Sequence, residues 1–140
     1  MAKGLAYSLD IPLISVSTLE AMAIAMKIKS DQNTDFFVPM IDARRNEVYS
    51  QVFSKDLKPL CKPEALILDK ADYSKLNGEV MFGGDGCNKW QKQAEENKKW
   101  HFTSEAFLSA EHVGKGALNK KEFSDIAYFE PNYLKDFTGR

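Results

Sequence analysis

The chain has 140 residues with 44% hydrophobic content, enough for one domain with its own core, so a disordered chain is excluded. Nineteen basic residues face 20 acidic ones, a formal charge of −1, which excludes the broad positive field that gathers nucleic acid or an anionic membrane. An RNA contact on such a chain has to be local or shared with a partner.

The opening, Ala2-Lys3-Gly4-Leu5-Ala6-Tyr7-Ser8-Leu9, carries no helix-start signal and runs straight into Asp10, as expected of a chain cut from a larger protein. Residues 11–16 are short, apolar and β-branched and read as a strand. Ser17-Thr18-Leu19-Glu20 has the form of a capping box. Leu19, Met22, Ala23 and Met26 then repeat at helical spacing, with Lys27 and Lys29 near the negative end of the helix dipole. A loop over 31–35 leads to the apolar run 36–41, a strand covered on both faces, in which Pro39 removes one ladder donor. Arg44-Arg45-Asn46 forms a hairpin turn. A second strand, 47–53, places Val48 and Val52 on one face and Tyr49, Gln51 and Phe53 on the other.

Beyond a loop over 55–63, residues 65–68 read as a short strand and 71–76 as a short helix ending at Asn77-Gly78. A strand over 79–82 runs into Gly83-Gly84-Asp85-Gly86, a helix follows over 88–96 with Trp90 and Ala94 on one side, and 99–102 reads as a strand. Ser104 caps a last helix whose Phe107, Ala110, Gly114, Ala117 and Leu118 share a face. The aromatic tail 126–134 is expected to pack back on the body. Strands alternate with helices, so the fold class is α/β, a mixed sheet flanked by helices.

Three constellations bear on chemistry. Gly83, Gly84, Asp85 and Gly86 join a strand to a helix, the shape that lets backbone N–H groups approach a phosphate or a nucleotide sugar. The same residues also make a merely tight turn, and the full dinucleotide fingerprint and the P-loop lysine are missing. Arg44 and Arg45, flanked by Asp42 and Glu47, can clamp an anion or contact a partner; a charged hairpin tip with exposed ion pairs is the plainer reading. His101 and His112 lie in no zinc-binding spacing and read as a strand residue and a helix-surface residue. Cys87, at a helix start that lowers a thiol pKa, is a nucleophile without an identifiable base, or else a small buried residue. Cys61 and Cys87 form no CxxC pair, consistent with a reduced compartment. No apolar run reaches the roughly 20 residues of a membrane span.

Residues 2–23, the hairpin Ile41-Asp42-Ala43-Arg44-Arg45-Asn46-Glu47-Val48-Tyr49, the Gly84-Asp85-Gly86 turn and the closing Glu130-Pro131-Asn132-Tyr133-Leu134-Lys135 together resemble the C-terminal portion of the TsaB (YeaZ) family of bacterial tRNA threonylcarbamoyladenosine biosynthesis proteins. That family is glycoprotease-like and M22-peptidase-like by homology. The resemblance implies one lobe of the actin, Hsp70 and sugar-kinase fold, with residues 1–9 the remnant of a helix leaving an N-terminal lobe. It also implies a non-catalytic, cytoplasmic scaffold without cofactor that pairs with TsaD and through it with TsaE, and that meets tRNA only indirectly. The pairing surface would carry over to Lys3, Gly4, Leu5, Ala6 and Leu9, and apolar surface left without its other lobe would favour a homodimer. The competing readings are a nucleotide-binding transferase using 83–86 and an interaction domain unrelated to tRNA.

Overall fold

Alternation along one strand sets the layering. In a computed structural model, which describes residues 1–30, 33–94, 96–105, 108–118 and 120–135, β1 spans Phe36–Asp42. Its Val38 and Met40 point into one apolar layer and Phe37 into the other, with Ile41 beside it, because successive side chains of a strand face opposite ways. β1 is therefore covered on both faces, as its continuous apolar run predicts.

The sheet order is β4-β2-β1-β5-β6, built from β2 (Glu47–Ser50), β4 (Glu64–Ile67), β5 (Val80–Gly83) and β6 (Trp100–Thr103), with β3 (Phe53–Ser54) also on β1. β1, β5 and β6 run parallel; β2, β3 and β4 join antiparallel, giving the expected mixed sheet. β2 and β3 hold one continuous register along β1, Met40 opposite Ser50 and Phe37 opposite Phe53. The ladder lapses between them where Pro39 has no N–H to give. The buried Ser50 hydroxyl donates to the Pro39 carbonyl at 2.9 Å, satisfying the acceptor there.

One face carries α2 (Thr18–Lys29), whose Leu19, Met22, Ala23 and Met26 pack on Phe37 and Phe53. Its other side meets α4 (Ala110–Leu118), so Ile24 and Ala25 are buried as well. The opposite face carries α3 (Cys87–Gln91) and the turns over 68–76, with Tyr73, Phe82 and Trp90 at its centre. Tyr73 meets Phe82 and Trp90 edge-on, at 5.1 and 5.3 Å between ring centroids, a favoured aromatic geometry. Burial pushes the Tyr73 phenol up to about 12.

Several expected elements change. Residues 11–16 form no strand; Leu13 makes a single antiparallel bridge to Ser124, since no continuous partner lies beside them. Residues 71–76 form no helix, and a 3-10 turn at Leu68–Lys70 stands before them. Asp72 there accepts from both the N–H and the hydroxyl of Ser74, a local alternative to helical bonding. The predicted 88–96 helix stops at Gln91. The last helix is capped by Ser109, whose Oγ accepts from the His112 N–H at 3.3 Å, and not by Ser104; Phe107 lies outside the described residues. Ser17 holds the N-cap position of α2 as expected, without a side-chain capping bond, so the box is not closed. The opening residues do form a helix, α1 (Ala2–Leu9), despite lacking a start signal.

The tail returns to the body chiefly through its backbone. Lys3 donates to the carbonyls of Ala127 and Phe129, Lys135 pairs with Glu47, and Tyr128 and Tyr133 face outward.

Candidate functional site

Two turns meet beside the end of β1. The first, residues 83–86, carries β5 into α3. Gly84 has a φ of 110°, which only glycine adopts easily, and a Cβ there would collide with the Met40 carbonyl and the Met22 methyl. A Cβ on Gly86 would lie 2.8 Å from Val48 Cγ1, and one on Gly83 would strike Met26. The Gly84 N–H donates to the Thr103 carbonyl, that of Gly86 to Met40 and that of Cys87 to Gly84. These glycines bring α3 and β1 into contact, and the amides of Gly84, Gly86 and Cys87 donate to protein carbonyls.

The second turn is the hairpin between β1 and β2. Arg44 and Arg45 have φ values of 66° and 47°, two consecutive non-glycine residues in the left-handed region, which costs about 1–2 kcal/mol each. A dense set of polar contacts holds them there. Asp42 Oδ1 accepts from the Arg44 N–H at 2.7 Å and from Lys89 Nζ at 2.6 Å, while Lys89 also donates to the Arg45 carbonyl at 2.7 Å. Asp85 Oδ1 accepts from the Asp42 N–H at 2.9 Å, tying the two turns together. Asn46 accepts from Gln93, donates to Asp69 and offers its carbonyl to the Leu68 N–H. The Lys89 ammonium, helped by the Arg44 amide, holds the Asp42 carboxyl below its ordinary range.

Both arginine side chains are exposed, and among the described residues neither guanidinium has an ion-pair partner. The flanking carboxylates go elsewhere: Asp42 to Lys89, Glu47 to Lys135. The predicted ion-paired tip is thus replaced by a braced turn with outward-facing arginines. Lys89, Gln93 and Asp69 were not singled out from sequence, because nothing local marks contacts made across more than 20 residues.

Cys87 is fully buried, its Sγ 3.3 Å from the Thr103 carbonyl, and burial pushes the thiol up. The helix start does not activate it, since desolvation outweighs whatever one short turn of helix supplies. Cys61 is exposed and both cysteines are free. His101 lies on β6, 2.8 Å from Glu79, and His112 lies on α4 near Ser109. Among the described residues no three His, Cys, Asp or Glu side chains converge on a metal-sized site, and no helix is long and apolar enough to cross a membrane.

Of the α1 residues, Ala6 is buried, Leu5 and Leu9 are exposed, and Lys3 is tied to the tail. A cleft of about 700 Å³ opens between the start of α2, the tail and the β1–β2 face, lined by Leu19, Ile41, Tyr49, Phe129 and Leu134 among others.

The model of the TsaD family, tRNA N6-adenosine threonylcarbamoyltransferase, matches residues 1–128. The chain belongs to this family. Two solved structures share the fold: YeaZ from Pseudomonas aeruginosa, with a TM-score of 0.76, and a protein described as uncharacterized with similarity to peptidase YEAZ from the same organism, with a TM-score of 0.75. Each is 20% identical over 95% of this chain, which covers 64% and 63% of their lengths, so it spans less than two thirds of either. Among curated proteins, none matches the sequence. The α/β lobe expected from the TsaB resemblance is the fold observed.

Proposed function

We propose that this chain is the C-terminal lobe of a TsaB-like subunit, with residues 1–9 the end of a helix leaving the N-terminal lobe. It serves as a non-catalytic cytoplasmic scaffold in the threonylcarbamoyladenosine modification of tRNA, pairing with a TsaD subunit and through it with TsaE. The family match over residues 1–128, on a fold shared with YeaZ, supports the link to threonylcarbamoyladenosine modification of tRNA. Two local features support a scaffold over a transferase. The glycines of the 83–86 turn are required by packing against Met22, Met26, Met40 and Val48, the Gly84 and Gly86 N–H groups donate to the carbonyls of Thr103 and Met40, and the Cys87 thiol is buried.

The test is calorimetry of purified TsaD against this chain and against the same chain joined to an N-terminal lobe. Binding by the joined form alone places the pairing surface in that lobe, and binding by both moves it onto α1 or the body described above. Binding by neither overturns the proposal. ATP raising the melting temperature of the chain alone would favour the transferase reading instead.

A further inference from the structure

We propose that the Arg44–Arg45 turn is a phosphate-contact element that grips the ribose-phosphate backbone of RNA within the modification assembly; this rests on the function proposed above and adds to it a direct RNA contact by this chain.

The backbone supplies the first reason. Asn and Gly adopt the left-handed region far more readily than arginine, so a hairpin selected for stability alone would carry them here. The chain instead places two arginines in consecutive left-handed positions. Strain of this kind persists only where the surroundings over-determine it, and it concentrates at functional positions. Here Asp42, Asp85, Lys89, Asn46, Gln93 and Asp69 provide that bracing from four separate segments.

The second reason is charge. The carboxylates flanking the arginines in sequence are paired with lysines, Asp42 with Lys89 and Glu47 with Lys135, while Asp69 and Asp85 accept from the neutral Asn46 side chain and Asp42 amide and keep their charge. Two permanently charged guanidinium forks are left facing solvent on a fixed base, a preorganised arrangement for bidentate binding of phosphate oxygens.

The third reason separates RNA from a protein partner. The groups that the turn itself presents are charged or polar and the part-exposed Ile67, opposite Glu47, is the large apolar side chain beside them, whereas a stable protein interface needs a desolvated apolar centre inside its polar rim. Backbone phosphates need no such centre. A chain with net charge −1 recruits no RNA at long range, so the contact acts once a partner has brought the RNA near.

The experiment measures tRNA affinity, by anisotropy of labelled tRNA, for the assembly of this chain with TsaD over a series of salt concentrations. Three forms are compared: the parent, Arg44→Asn/Arg45→Gly and Arg44→Lys/Arg45→Lys. The Asn-Gly form suits the turn's backbone, so loss of binding cannot be ascribed to unfolding. It should lower tRNA affinity about tenfold at low salt and make the log–log salt slope shallower by about 1.5, the share of two phosphate contacts. The lysine form should keep most of the slope while losing part of the affinity. TsaD affinity, measured in parallel, should be equal for all three. Unchanged tRNA binding by the Asn-Gly form overturns the inference and leaves the scaffold reading standing. A fall in TsaD affinity with unchanged tRNA binding also overturns it and makes the arginines a protein contact. Failure of the parent chain to assemble with TsaD in any form overturns the scaffold reading, and this inference with it.

Discussion

The glycine turn over 83–86 and the arginine turn at 44–45 are joined by one hydrogen bond, from the Asp42 amide to Asp85, yet they solve opposite problems. At 83–86 glycine is required because neighbouring atoms occupy the space where a side chain would begin; the backbone conformation serves packing. At 44–45 the conformation would suit glycine or asparagine, the space is open, and arginine stands there held by its surroundings. A glycine-rich turn is therefore no evidence of a ligand until the space around it is known, and a strained charged turn gains meaning when its bracing is traced.

The hardest way to break the comparison is Gly84→Ala. It combines an unfavourable φ with a clash against the Met40 backbone, and should lower stability by about 3 kcal/mol or more. Urea denaturation reads this directly; a loss below 1 kcal/mol would show that the turn is not the packed joint described here.

Arg44→Asn/Arg45→Gly should act in the reverse sense, raising stability by about 1–2 kcal/mol in the same assay by relieving the left-handed strain. A destabilised variant would mean that the arginine side chains themselves hold the turn.

Asp42→Asn sharpens the account of the bracing through pH. The folded carboxyl titrates below its ordinary value of 3.8, so its contribution is present above that value and is lost as pH falls through the lowered folded value. At pH 7 the variant should be weaker by about 1 kcal/mol, held down by the partial exposure of the Asp42–Lys89 pair. Well below the carboxylate range the two proteins should converge. A gap that persists there would assign the effect to geometry and not to charge.

The smallest effect is expected at Ser17. Its side chain makes no capping bond to α2, so Ser17→Ala should change the melting midpoint by less than 1 °C where a working cap would shift it by several.

Residues whose partners lie within a few positions were legible in the sequence. The spacing of Leu19, Met22, Ala23 and Met26 placed α2, and the apolar run from Phe36 placed β1 with both faces covered. The glycines before Cys87 located a strand-to-helix turn, and the arginines located a hairpin. Element ends were less legible because they depend on competing short-range bonds. Asp72 capturing Ser74 removed a predicted helix, and Ser109 in place of Ser104 moved the start of another.

The sequence by itself determined the α/β class, the two-faced central strand and the identity of the residues at both turns, since periodicity and turn chemistry are local. Only the tertiary structure decided what the turns contact. Whether glycine amides point at open space or at Met40, and whether an aspartate pairs with the next arginine or with Lys89 47 residues away, depends on which segments packing brings together, and no local pattern encodes that choice.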